Sequence, residues 1–306
     1  MGQFLDSNRH MTTRVMFDEK SENGLIVGGK YLPEELLAEI FCYVDYNSLL
    51  NCQLVCKLWK NLIQTYVWRK KAEIIFGRSL LFDKEVSWHT YYLMCKKKPF
   101  ERNLIKNHSG EYGTQKWKIL DEGGDRWKVE NPPIGVSPLP NNEAIFKGNQ
   151  FCFVTSYRRC TKAQVIDLEI EGLTSYVLDN LQPLIVVSEW YSCRWDCPAI
   201  YECKIKLLGE DNKIIDSFEF HDSIEEEKQN EWHQILHEFK NYGPGLRRIC
   251  FCHGGTDKLF WAGHYGSKMA GACVCVKIPI VQFRNSEEIN ILSNKNYNAK
   301  HISKKK

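Results

Sequence analysis

The chain has 306 residues, 43% hydrophobic and 12% aromatic, enough apolar surface for one large domain and a small one. Its 41 basic and 38 acidic side chains are mixed along the sequence and leave a formal charge of +3, so nothing points to nucleic acid as a partner. No window approaches the roughly 20 apolar residues that span a bilayer, and no signal peptide opens the chain, so a cytoplasmic or nuclear protein without membrane insertion is expected. The 13 cysteines are odd in number in a long chain and read as free thiols in a reducing compartment. Cys193, Cys197 and Cys203, and the pairs Cys250/Cys252 and Cys273/Cys275, lack the C-x2-C spacing of zinc sites. Neither a metal nor a cofactor is expected.

Residues 1–28 are polar, lack apolar periodicity and end at Gly28-Gly29, the pattern of a flexible leader. From Tyr31 to about Met94 the period is helical. Leu32-Pro33-Glu34-Glu35 opens a helix with proline at its first position and two carboxylates at the positive end of its dipole. Leu36, Leu37, Ile40 and Phe41 form its apolar stripe. After a capping turn at Asp45-Tyr46-Asn47-Ser48, the residues Leu49, Leu50, Cys52, Leu54, Val55, Leu58, Trp59 and Leu62 mark one or two short helices that are apolar on several sides. Such helices need a partner surface. Trp68, Ile74, Phe76, Trp88 and Tyr91 carry the helical pattern to a basic stop at Lys96-Lys97-Lys98-Pro99.

Beyond Pro99 the period becomes two. Tyr201, Cys203, Ile205 and Leu207 face one way and Glu202, Lys204 and Lys206 the other, which predicts a half-buried antiparallel strand. A polar turn at Gly209-Glu210-Asp211-Asn212 leads to a second run, 214–220, and the two read as a hairpin. Runs at 151–157, 184–190, 249–252 and 272–278 predict further strands, and periodicity alone marks no helix in this half. Many short strands without helical patterns between them argue for a sandwich or barrel. The tail from 284 to 306, ending in three lysines, is expected to be basic and flexible.

Leu32-Pro33-Glu34-Glu35-Leu36-Leu37-Ala38-Glu39-Ile40-Phe41, followed by Leu49-Leu50, Val55-Cys56-Lys57-Leu58-Trp59 and Trp68, closely resembles the F-box. Cys152 to Tyr157, Lys162 to Leu168, Trp190-Tyr191-Ser192, Tyr242-Gly243-Pro244-Gly245, His253-Gly254-Gly255 and Phe260 to Gly266 resemble the F-box-associated (FBA) domain of the glycoprotein-recognising F-box proteins. The resemblance implies a multi-domain chain: a small all-α F-box domain at 29–76, a helical linker at 77–99, and an all-β antiparallel sandwich of galactose-binding-like type at 100–283. It implies docking on Skp1, and through it on cullin and RING subunits, by Leu32, Pro33, Leu36, Ile40, Leu49, Leu50, Val55 and Trp59.

It also implies capture of a target by loops at one end of the sandwich, which in some family members hold the chitobiose core of N-linked glycans. Carried over, that pocket is Tyr157, Asp196, Phe260, Trp261 and Ala262. A pyranose packs its C–H face on an aromatic ring while its hydroxyls seek a carboxylate, so Trp261 is the platform and Asp196 the acceptor. Two departures stand out. Ala262 occupies a position where strong glycan binders carry lysine, and Trp195 puts a bulky ring beside the acceptor. The alternative is that Phe260 and Trp261 are buried sandwich residues and Asp196 a turn residue.

His253 and His264 lie near several cysteines in sequence, but no cysteine sits in a nucleophile motif, and a non-catalytic chain is expected. The expected role is substrate recognition for an SCF ubiquitin ligase, with misfolded N-glycosylated proteins as targets for proteasomal degradation. The same adaptor with a non-glycan protein target, or a cytosolic lectin without a ligase, are the other readings.

Overall fold

A computed structural model describes residues 24–80 and 86–279, together with the paired strands β1 (Gly2–Leu5) and β2 (Thr12–Val15). The expected tail at 284–306 lies outside the described residues. The last residues of the expected 1–28 leader belong to the helical fold. Leu25 is buried in the helical core, its carbonyl accepts from the Leu32 amide at 2.8 Å, and β3 (Ile26–Val27) pairs with β4 (Lys30–Tyr31) across the Gly28-Gly29 turn.

Among the described residues five α-helices follow. α1 spans Glu34–Tyr43, and Pro33, with ψ of 148°, is its N-cap rather than its first helical residue. The predicted stripe divides: Leu37 and Phe41 are buried with Ala38 and Cys42, while Leu36 and Ile40 face outward. α2 (Tyr46–Cys52) begins where Asp45 Oδ1 accepts from the amides of Asn47 and Ser48, both at 3.0 Å. α3 (Lys57–Leu62) runs through a π-helical turn at Ile63–Val67 into α4 (Trp68–Phe76). Gly77, at φ +65°, ends α4 in the left-handed conformation that glycine adopts without a Cβ penalty. α5 (Trp88–Lys97) lays Trp88 on Trp68 with ring centroids 6.4 Å apart, so the linker segment completes the helical unit. It also meets the second unit: Phe76 packs edge-on to Phe100 at 5.6 Å, and the Thr90 and Thr174 hydroxyls lie 3.4 Å apart.

At the start of α1 the Glu34 carboxyl is pushed up to about 7, first by burial and then by the neighbouring Glu35. A folded-state value above the ordinary 4.5 means that the folded chain holds this proton more tightly than the unfolded one. Its contribution to stability is therefore full below 4.5 and is lost as pH rises through about 7. The melting temperature is expected to fall between about pH 5 and about pH 8, and Glu34→Gln should flatten that slope. Parallel pH curves for variant and wild type would contradict it.

The second unit is a sandwich of two five-stranded antiparallel sheets, among the described residues. In chain order its strands are β5 (Lys118–Glu122), β6 (Lys128–Glu130), β7 (Cys152–Val154), β8 (Cys160–Asp167), β9 (Ile185–Ser192), β10 (Ala199–Leu208), β11 (Ile214–Ile224), β12 (His233–Phe239), β13 (Arg248–Asp257) and β14 (Lys268–Val276). One sheet has the order β11-β10-β13-β8-β5 and the other β12-β9-β14-β7-β6. The alternation predicted for 201–207 holds: Ala199, Tyr201, Cys203, Ile205 and Leu207 are buried, and the residues between them are half-exposed. β10 and β11 form the expected hairpin. Where periodicity alone marks no helix in this half, the structure adds a π-helical turn at Val177–Leu181 that buries Val177 and Leu178.

The core between the sheets is not purely apolar. Glu189, on β9, accepts from the Tyr201 hydroxyl at 2.5 Å, and its other oxygen lies 2.6 Å from His253 Nδ1. Tyr201 and His253 belong to the opposite sheet, so this contact ties the two layers together. The Lys162 amine, fully buried, rests 3.4 Å from the ring centres of both Trp127 and Phe153.

Candidate functional site

Two surfaces stand out. On the helical unit, Leu36, Ile40 and Tyr43 recur at i, i+4 and i+7 along one exposed face of α1. Leu36 is 49% and Ile40 44% exposed, and Pro33, Leu54 and Val55 are exposed as well. Not every expected docking residue belongs to this face. Leu49 is completely buried, because Asp45 caps α2 so that Leu49 points into the helical core. Trp59 is half-buried: its indole donates to the Gly24 carbonyl at 2.6 Å and meets Phe41 edge-on at 5.0 Å. Leu32 and Leu50 are also half-buried. Tyr43 and Leu54 were missed, although Tyr43 continues the Leu36–Ile40 spacing by one more turn.

The second surface is a cluster of loops at one end of the sandwich. The loop after β13 turns on Asp257, whose two carboxylate oxygens accept from the amides of Phe260 (2.6 Å) and Trp261 (3.2 Å). This double cap holds Phe260 at φ +59°, a conformation costing a non-glycine residue about 1–2 kcal/mol. Farther along, the Gly263 carbonyl accepts from the Ser156 hydroxyl at 2.6 Å, which fixes the loop to the segment carrying Tyr157. Burial raises the Asp257 carboxyl despite these amide donors.

Phe260 is 63% exposed and Trp261 42% exposed, so neither is a core residue. The alternative in which they fill the sandwich is thereby set aside. Tyr157 lies edge-on to Phe260 with centroids 5.1 Å apart, and Arg158 lies over the same ring. Trp261 packs edge-on to Tyr265 at 5.4 Å, and the other side of this chain of contacts is the Arg194 guanidinium, 4.7 Å from the Tyr265 ring centre. The structure thus brings Tyr157, Phe260, Trp261 and the loop bearing Asp196 together.

Asp196 differs from the free acceptor that was expected. Arg194 donates to both its oxygens, at 2.8 and 2.7 Å, and holds the carboxyl below its usual range. A carboxylate has about four lone-pair sites, so two remain for another donor. Sequence reasoning missed Arg194 and Asp257. An Asp three and four residues before an exposed aromatic pair is a capping pattern that marks the latter, whereas nothing in the spacing alone announces the Arg194–Asp196 fork.

In the loop that bears Asp196, burial pushes the Cys193 thiol up to about 12 and the Cys197 thiol up to about 11, away from a reactive thiolate. Among the described residues no helix is long and apolar enough to cross a membrane.

Residues 30–73 match the F-box-like family and residues 95–276 the F-box associated region. F-box only protein 6 of Rattus norvegicus is 38% identical over 249 residues, covering 80% of this chain and 85% of that one. F-box only protein 44 of Homo sapiens is 34% identical, covering 81% and 96%, and F-box only protein 2 of Bos taurus 35% identical, covering 80% and 83%. Among solved structures, the family 16 carbohydrate binding module-2 aligns with 56% of this chain and 99% of its own at 14% identity and a TM-score of 0.33, too remote to carry an argument. With both modules present in order and relatives at this identity over most of their length, the chain belongs to the F-box only proteins with an F-box associated region, adaptors whose F-box serves Skp1 binding within an SCF complex.

Proposed function

We propose that this chain carries glycoproteins to an SCF ubiquitin ligase by holding the chitobiose core of an N-linked glycan on the loop cluster of its sandwich, for ubiquitination and degradation. The observation that carries this reading is the exposure of Phe260 and Trp261 on a loop clamped by Asp257. Exposed, rigidly presented aromatic faces suit the C–H face of a pyranose, and the free lone pairs of Asp196 suit its hydroxyls. The chain itself performs no chemistry in this scheme: it positions a target, and the cullin and RING subunits reached through Skp1 do the rest.

Trp261→Ala is expected to weaken chitobiose binding by about 2 kcal/mol, the loss typical of a central aromatic anchor, while the melting temperature stays near wild type. Ala262→Lys should tighten binding by adding a charged donor beside the sugar. Titration calorimetry and melting curves on the same preparations check both. Absence of chitobiose binding in wild type and in Ala262→Lys would reject the glycan.

Two observations favour a second reading, the same adaptor with a target recognised by protein surface: the Asp196 carboxylate is already engaged by Arg194, and Ala262 supplies no donor.

A further inference from the structure

We infer that the loop cluster has a second part, a small apolar shelf made by Trp195 and Ile134, which takes apolar side chains of the polypeptide flanking the glycosylated asparagine. The inference rests on the glycan reading above and extends it from the sugar to the chain that bears it.

Trp195 is 65% exposed and Ile134 50% exposed, on two different loops. The loops are joined at this point. The Trp195 amide donates to the Gly135 carbonyl at 3.0 Å, and a Cβ on Gly135 would meet the Arg194 side chain at 2.8 Å, so the two backbones are in close contact beside the exposed residues. Further bonds hold the Trp195 loop from below: Gln229 donates to the Arg194 carbonyl at 2.9 Å, and the Asn230 amide to the Cys193 carbonyl at 3.1 Å. Ile134 is fixed in turn by its amide, which donates to Glu130 at 2.8 Å. Two large apolar residues presented to water on pinned loops form an interaction surface rather than a mobile rim.

The shelf adjoins the sugar platform. From the Trp261 ring to Tyr265 is 5.4 Å, from the Tyr265 ring to the Arg194 guanidinium 4.7 Å, and Trp195 is the next residue. Its chemistry differs from the platform's. A sugar needs donors and acceptors around the ring that stacks it, but the charged residues flanking Trp195 in sequence, Arg194 and Asp196, are bound to each other, and Ile134 offers only aliphatic surface. An indole beside a branched aliphatic residue suits Leu, Phe or Val side chains instead. Such side chains are accessible next to a glycan chiefly where the polypeptide is unfolded, since a folded protein buries them. The shelf would therefore let the adaptor read the glycan and the folding state of its carrier at one place.

The test uses the full chain and three probes: a free high-mannose oligosaccharide, and two glycopeptides bearing that glycan, one with Leu and Phe beside the asparagine and one with Gly and Ser. Wild type should bind the apolar glycopeptide about tenfold more tightly than the polar one. Trp195→Ser should erase that preference and leave the affinity for the free oligosaccharide unchanged, and Ile134→Ser should reduce the preference. Equal affinity of wild type for the two glycopeptides, or an undiminished preference in Trp195→Ser, overturns the shelf while the glycan reading stands. Failure of wild type to bind the free oligosaccharide overturns the glycan reading, and the shelf as described falls with it.

Discussion

Replacing Leu36 and Ile40 together by aspartate is expected to weaken Skp1 binding by at least about a hundredfold, with the sandwich still folded and still able to bind its ligand. The two side chains are exposed one turn apart on α1, and Tyr43 continues their line while Leu54 and Val55 lie exposed in the turn after α2. On a free monomer the exposed half of each side chain gives up burial worth about 1 kcal/mol, which a partner surface recovers. Two carboxylates in that surface would be desolvated without partners, a cost well above the loss of contact alone. Because both residues are exposed rather than core residues, the melting temperature should change much less than for a core substitution. Leu37→Asp is the contrasting variant: Leu37 is buried in the helical core, so this change should unfold the helical unit and lose binding by that route. Pull-down with purified Skp1, paired with circular dichroism, separates the two. Undiminished capture by the double variant would remove α1 from the interface.

Much of this arrangement was legible in the sequence, and the limits have physical causes. The helical period from Tyr31 and the two-residue alternation at 201–207 report burial on one side of an element, which local spacing encodes directly. Local spacing does not say which of two adjacent apolar rows faces in. Leu36 and Leu37 read alike, and only the packing of α1 on the rest of the helical unit separates them. Leu49 was misplaced for the same reason, an apolar residue on a short helix that had been assigned outward. The roles of Phe260 and Trp261 depended on a contact between Asp257 and the chain three and four residues on, which turns the loop so that both rings face water. The pairing of Glu189 with residues 12 and 64 positions away was beyond any period, since it is fixed by sheet order.

That inter-sheet pairing carries the largest expected effect on stability. Glu189 is wholly buried, and burial pushes its carboxyl up to about 8. The Tyr201 hydroxyl and His253 Nδ1 both depend on it, and its charge is the first group opposing the downward pull of burial on Lys162. Lys162 has aromatic rings around its amine and no hydrogen-bond acceptor among the described residues, and burial pulls the amine well below its ordinary value, toward the neutral form. Glu189→Leu strands the Tyr201 hydroxyl and His253 Nδ1 in the core, each at about 1–3 kcal/mol, and should cost about 2–6 kcal/mol together. Glu189→Gln keeps an acceptor for Tyr201 at nearly the same place and should cost less, about 1–2 kcal/mol. The further change Lys162→Met in the Glu189→Leu background removes a buried amine that has no acceptor among the described residues and should recover part of the loss. Denaturant unfolding of the three variants tests the order. A Glu189→Leu protein as stable as wild type, or a double variant no better than the single, would mean that the sandwich is held by its apolar layers alone.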